Sequence, residues 1–322
     1  MAYVVGVGST IYDIVENMDT LLQSVGWVRE EIETTMWNNQ SRTSYCFWKG
    51  TGDGNDRIYL QVRVPTVRNA DINSKAVPQG QTMLLDSSCG YDMNLEYFEQ
   101  PGSIQQWLKS YGYSDTGVSV NVNQPIFTVT ADERFAYWIF ADTYHVVVVA
   151  RMSIVYESMY MGFLNPISSE RQYPYPMYIC GNGAYNGGDW NSNQTGSFVF
   201  PKNNQGFLRR ADGVWRAFNA DVPNPDPYSE GTVFPYNAHN QYLIPNYHRS
   251  DVIEQDNFLL IPVMLQTHNP TDMNGLLRDV FWISGTRDVS AEQILVYQDS
   301  QYIVFDTKQY RGANTYFAVK ME

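Results

Sequence analysis

Apolar positions along the chain change their period several times, and each change marks an element. Ile11, Ile14, Val15, Met18, Leu21, Leu22 and Val25 recur at intervals of three and four residues, which gathers them on one stripe of an α-helix. Thr10 and Asp13 have the spacing of a capping box ahead of that stripe, and Gly26 follows it where a left-handed C-terminal cap belongs. Residues 3–7 form a short apolar run before the helix. After it, residues 30–37 read as an acidic extended strand, and residues 44–49 and 57–64 as two strands joined by the turn GTGDGND. In the second of these, Ile58, Leu60, Val62 and Val64 alternate with Tyr59, Gln61 and Arg63, so one face should meet the helix. Residues 65–80 are polar and read as a loop, and 83–85 as another strand. An aromatic stretch without clear period, 91–113, precedes renewed β character at 118–129.

Residues 134–164 are the predicted centre of the core. Phe135, Tyr137 and Ile139 and then the valines 146–149 suit a pleated, buried surface, and Asp142-Thr143 interrupts them as a turn would. The consecutive valines carry no alternation, which predicts a strand covered on both faces. Tyr156, Met159, Tyr160 and Phe163 follow roughly helical spacing, and Asn165-Pro166 stops whatever they form. From 165 to 247 the chain is rich in Pro, Gly, Asn and aromatics with few apolar runs, and reads as a long wrapping segment. Short strands return at 258–265, 280–284, 294–296, 302–306 and 315–321. These elements predict an α+β fold, mainly β. An N-terminal domain, 1–100, packs its helix on an antiparallel sheet. A larger β-rich domain with long loops, 101–322, follows, and the central hairpin and last strands can share the first sheet.

Composition narrows the function. The chain of 322 residues has 24 Tyr, 15 Phe and 8 Trp but only 17% charged residues, a balance that suits extensive protein–protein contact. A net charge of −13 argues against a DNA-binding face, because phosphate recognition needs clustered Lys and Arg. Cys46, Cys89 and Cys180 have no metal-ligand spacing and read as reduced thiols. No secretory leader or membrane-spanning run is expected, and the sequons at Asn39 and Asn193 are read as incidental. Asp53, Asn55 and Asp56 of the GTGDGND turn offer oxygen ligands, yet lack the terminal Glu of an EF-hand loop, and the reading is a plain turn. Lys49 precedes the glycines, so this is not a phosphate loop. His145, His239, His248 and His268 have no zinc-helix spacing, and His145 reads as a strand residue with a satisfied ring. No GxSxG elbow surrounds a serine. No catalytic residue, cofactor or metal is expected.

Several motifs together resemble a known group. They are Gly26-Trp27 after the helix, the glycine-rich turn after Trp48, FAYWIFADTYHVVVVAR, VYESMYMGFLNP, RQYPYPMYICG, DGVW, VFWISG, YIVFDT and YFAVKM. The chain resembles virion structural proteins of tailed bacteriophages, encoded beside neck, tail and baseplate genes. The resemblance implies a non-enzymatic subunit of a ring in the neck, collar or tail, assembled in the host cytoplasm and carried in the virion. Its partners would be further copies of itself and adjacent neck, tail or baseplate proteins, with no specific nucleic acid and no membrane. An acidic surface around a conduit would let DNA pass. Tyr173, Tyr175, Trp190, Trp215 and Tyr228 of the 165–247 segment are the candidate subunit-interface residues. The alternatives are a glycan-binding, receptor-recognising module or a glycan-cleaving enzyme, for which Asp189-Trp190 and Asp212 with Trp215 place acids beside aromatics.

Overall fold

The computed structural model describes residues 1–50, 57–64, 80–95, 99–104, 124–129, 133–167, 176–186, 189–190, 197–199, 201, 206–210, 213–218, 232–234, 260–268, 271–284, 289–307 and 315–322. The chain opens with β1 (Ala2–Gly8) and the helix α1 (Ile11–Ser24), followed by β2 (Val28–Trp37), β3 (Gln40–Gly50), β4 (Ile58–Arg63), β5 (Thr82–Ser88) and β6 (Gln124–Thr128). The central hairpin is β7 (Phe135–Ala141) and β8 (His145–Met152), joined to β9 (Val155–Phe163). Then come β10 (Met177–Cys180), β11 (Gly183–Asn186), β12 (Asp189–Trp190), β13 (Gly206–Arg209), β14 (Trp215–Phe218) and β15 (Thr232–Phe234). The last strands are β16 (Leu260–His268), β17 (Thr271–Ser284), β18 (Ile294–Tyr297), β19 (Ser300–Asp306) and β20 (Thr315–Lys320). The fold is mainly β, with one helix packed on sheet, among the described residues.

Three antiparallel sheets form layers. The middle sheet runs β1-β7-β8-β9-β10-β13-β14, the helix-side sheet β12-β11-β6-β5-β4-β3-β2, and the C-terminal sheet β15-β16-β17-β20-β19-β18. The valine run shows why the middle sheet is central. Val146, Val148 and Ala150 join α1, Leu60 and Val62 in one core, while Val147 and Val149 join Val263, Phe305 and Phe317 in another. A period-2 strand buried on both sides needs apolar residues at every position, and the sequence supplies them. Each aliphatic side chain so buried stabilises the fold by about 1.5–3 kcal/mol relative to exposure. Hydrogen-bonded pairing crosses residue 100 in two sheets, where β1 pairs β7 and β5 pairs β6.

The helix follows the predicted stripe. Ile11, Ile14, Val15, Met18, Leu21 and Leu22 are buried, and Gly26 has φ +96° just past the end. The Asp13 carboxylate reaches back to accept the backbone N–H of Thr10 at 3.0 Å and of Ser9 at 2.7 Å, which satisfies two donors that the helix start leaves free. Arg42 of β3 then clamps the helix, donating from Nε to Glu16 at 2.8 Å and from Nη2 to Asp13 at 2.5 Å.

Two expectations need correction. Residues 155–163 are strand β9 and not a helix. Met159, Met161 and Phe163 face the helix-side core and Tyr160 the opposite one, so burial on both faces erased the alternation and left spacing that mimicked a helix. Gly162 fixes the pairing: at φ +147°, a Cβ there would lie 2.5 Å from the His145 Cα and from the Tyr144 carbonyl oxygen. Nor is the 165–247 segment only a wrapping loop. Its described parts supply β10, β13 and β14 to the middle sheet, β11 and β12 to the helix-side sheet and β15 to the C-terminal sheet.

Candidate functional site

Trp215 is the one interface candidate whose side chain is described, and it faces inward. The ring is 1% exposed in the core between the middle and helix-side sheets, its indole N–H donates to the Gly102 carbonyl at 2.9 Å, and the Arg209 guanidinium lies 6.0 Å from the ring centroid. It is thus a packing residue, with no ring surface left for a neighbouring subunit or a sugar. Trp190 sits in β12, whose backbone pairs with β11. Tyr173, Tyr175 and Tyr228 lie outside the described residues, as do Asp53, Asn55, Asp56, Asp212, His239 and His248.

The surface features that do stand out are the rims of the sheets. β1 is an outermost strand, pairing only with β7 among the described strands. Ala2 and Val4 pack against the helix-side core, whereas Tyr3, Val5 and Val7 project from the other face, where Val5 is 54% and Val7 68% exposed. Register places Tyr3 opposite Phe140 and Val5 opposite Trp138, so these residues continue the face that the C-terminal sheet covers farther in. β18 repeats the pattern at the end of the C-terminal sheet. Ile294 pairs with the buried Ile303, yet Ile294, Val296 and Tyr297 are exposed, Val296 to 72%. β2, outermost in the helix-side sheet, exposes Val28, Ile32 and Met36, interleaved with Arg29, Glu30, Glu31 and Glu33. The apolar run at 3–7 was visible in the sequence. What hid its exposure was the pairing partner, which lies far along the chain.

A second constellation lies inside, where the β7–β8 turn meets β17. Asp142 Oδ1 accepts the backbone N–H of Tyr144 at 2.7 Å and of His145 at 2.9 Å, and faces His145 Nδ1 at 2.9 Å. The Trp27 indole N–H donates to the Asp142 carbonyl at 2.6 Å and anchors the turn. Burial alone would raise the Asp142 carboxyl, but the His145 ring and the backbone donors outweigh it and hold it at about 2. The His145 side chain is fully buried and stacked on Tyr160, with ring centroids 5.3 Å apart, and its Nε2 has no hydrogen-bond partner among the described residues. The strand position expected for His145 is therefore correct, while the expected satisfaction of its ring extends to one nitrogen only. Asp279 of β17, at φ +56°, completes the group: one donor atom each of Asp142, His145 and Asp279 lies within 4.8 Å of the others. Beside them the Arg278 guanidinium sits 4.0 Å from the Tyr144 ring centroid. Asp142 and His145 were legible as turn and strand, but nothing local in the sequence ties them to Asp279.

No protein-family model matches the chain, and no curated protein sequence matches it. Among the described residues, no helix is long and apolar enough to cross a membrane.

Proposed function

We propose that the chain is a non-enzymatic structural subunit of a tailed-bacteriophage particle, assembled into or onto a ring of the neck, collar or tail. The observation that carries this reading is the pair of unguarded rim strands. Monomeric β proteins protect an outermost strand with charge, proline or a bulge, because its free backbone groups otherwise invite another strand. β1, AYVVGVG, has no charged residue and no proline, and neither has β18, ILVY. Both add exposed apolar side chains to a backbone edge that pairs with no further described strand. In a chain of net charge −13, uncharged strands are also where copies can meet with least repulsion. The sequence resemblance and the aromatic, low-charge composition point the same way.

The test is sedimentation of the purified protein over a range of concentrations, beside Val5→Lys and Val296→Lys. Both positions are exposed, so the variants should melt like the wild type. The wild type should populate higher-order species, and a lysine on a rim strand should reduce them. A wild type that stays monomeric throughout, with variants that sediment identically, would remove the basis of the reading.

A further inference from the structure

We propose that Asp142, His145 and Asp279 form a binding site for one divalent transition-metal ion of the zinc or manganese type. The ion would tie the turn of the central hairpin, in the middle sheet, to β17 of the C-terminal sheet. Three observations lead there. The first is the donor set, with one donor atom of each residue within 4.8 Å of the others and His145 Nδ1 already 2.9 Å from Asp142 Oδ1. Metal–ligand bonds of about 2.0–2.2 Å place adjacent donors about 3.0–3.5 Å apart, so that contact is close to a coordination edge. The half-buried Asp279 side chain can move the remaining distance.

The second is the state of the buried imidazole. His145 is fully buried, and Nε2 has no partner among the described residues. Its other nitrogen competes for an Asp142 oxygen that already accepts two backbone N–H groups. A buried ring that uses one nitrogen, and shares that bond, is poorly compensated for its lost hydration. An ion bound by the Nδ1 lone pair would replace that contested hydrogen bond with a metal–nitrogen bond, the ring proton then sitting on Nε2.

The third is charge. Two carboxylates stand beside the ring, with the Arg278 guanidinium over Tyr144 as the neighbouring cation. The Tyr160 hydroxyl is already engaged, donating to the Phe163 carbonyl at 2.6 Å and accepting from the Arg278 N–H at 3.4 Å. The two carboxylates of the group outnumber the one guanidinium beside it. One imidazole nitrogen with two carboxylates suits zinc or manganese, whereas calcium and magnesium favour oxygen donors throughout. With three protein donors, water would complete the coordination on the side of the half-buried Asp279.

The test strips the full chain with EDTA, dialyses the chelator away, and titrates ZnCl2 or MnCl2 calorimetrically, with thermal melting in parallel. One ion per chain, a higher Tm with the ion, and binding at least about tenfold weaker in Asp279→Asn are expected. Asparagine keeps the shape and tolerates the positive φ at this half-buried position. Cobalt(II) added to the wild type gives a second reading that needs no variant: its visible spectrum should change from that of the aquo ion on stoichiometric binding. Absence of binding by both zinc and manganese, an unchanged cobalt spectrum, or undiminished binding in a folded Asp279→Asn would each overturn the site.

Discussion

The indole N–H of Trp48, on β3, donates to Asp19 Oδ1 at 2.8 Å, so a carboxylate sits on the buried side of the only described helix. The other oxygen of Asp19 receives Arg29 Nη1 at 2.6 Å and Gln23 Nε2 at 3.0 Å. One side chain thereby joins α1 to both β2 and β3. Asp19→Ala should strand the indole donor and the guanidinium together and cost about 3 kcal/mol in chemical denaturation. Wild-type stability in that variant would mean that water replaces the carboxylate freely.

Gly162 and Gly213 form a matched pair for backbone strain. Both have positive φ, but a Cβ at 162 would collide with backbone on β8, while one at 213 meets nothing within 4 Å. Gly162→Ala should therefore cost several kcal/mol or prevent folding, and Gly213→Ala only about 1 kcal/mol. Equal melting temperatures for the two variants would contradict the close approach of β9 to His145.

Acid should loosen the start of the helix. Burial alone would raise the Asp13 carboxyl, but the Ser9 and Thr10 N–H groups and Arg42 together hold it below its ordinary value. A carboxyl lowered by folding contributes stability above its unfolded value of about 3.9 and loses it as pH falls through the folded value. Asp13→Asn should then be less stable than wild type at neutral pH, with the gap closing on acidification. Urea melts of both proteins at several pH values measure this, and a gap independent of pH would exclude Asp13 as its source.

Thiol labelling checks the layers cheaply. Cys46 and Cys180 are buried, Cys180 with its thiol pushed up to about 12 by burial, while Cys89 is exposed. A disulfide-exchange reagent should titrate one thiol per native chain quickly and all three in denaturant. Rapid reaction of all three in the native protein would mean that the cores open far more readily than their packing implies.

How much of this was legible depended on whether a pattern is local. The α1 stripe, its Asp13 cap and Gly26 could be read because helix signals repeat within a few residues. The hairpin around Asp142 was equally local. Strand β9 was misread because Ser158, Tyr160 and Gly162 are buried as well as Met159, Met161 and Phe163, and burial on both faces leaves no period to read. Asp19 could not be foreseen on a buried face, since its partners Trp48 and Arg29 are brought there by β2 and β3. Trp215 looked like surface because Pro and Gly surround it, yet β13 and β14 carry it into the core. The meeting of His145 with Asp279 depends on the stacking of two sheets, which no window of sequence contains.

The pairing of Ala2 with Ala141 also sets a timetable for synthesis. β1 is translated long before β7 exists, and at about 5–20 residues per second the wait is on the order of ten seconds. Throughout that interval an uncharged apolar strand waits for the one partner it has among the described strands, although α1 behind it can already coil. The nascent chain must either shelter β1 transiently or risk pairing it with the wrong strand, a hazard that grows when many ribosomes on one message bring identical strands together. Slowed elongation between β1 and β7 should therefore lower the soluble yield, even though the finished protein is unchanged.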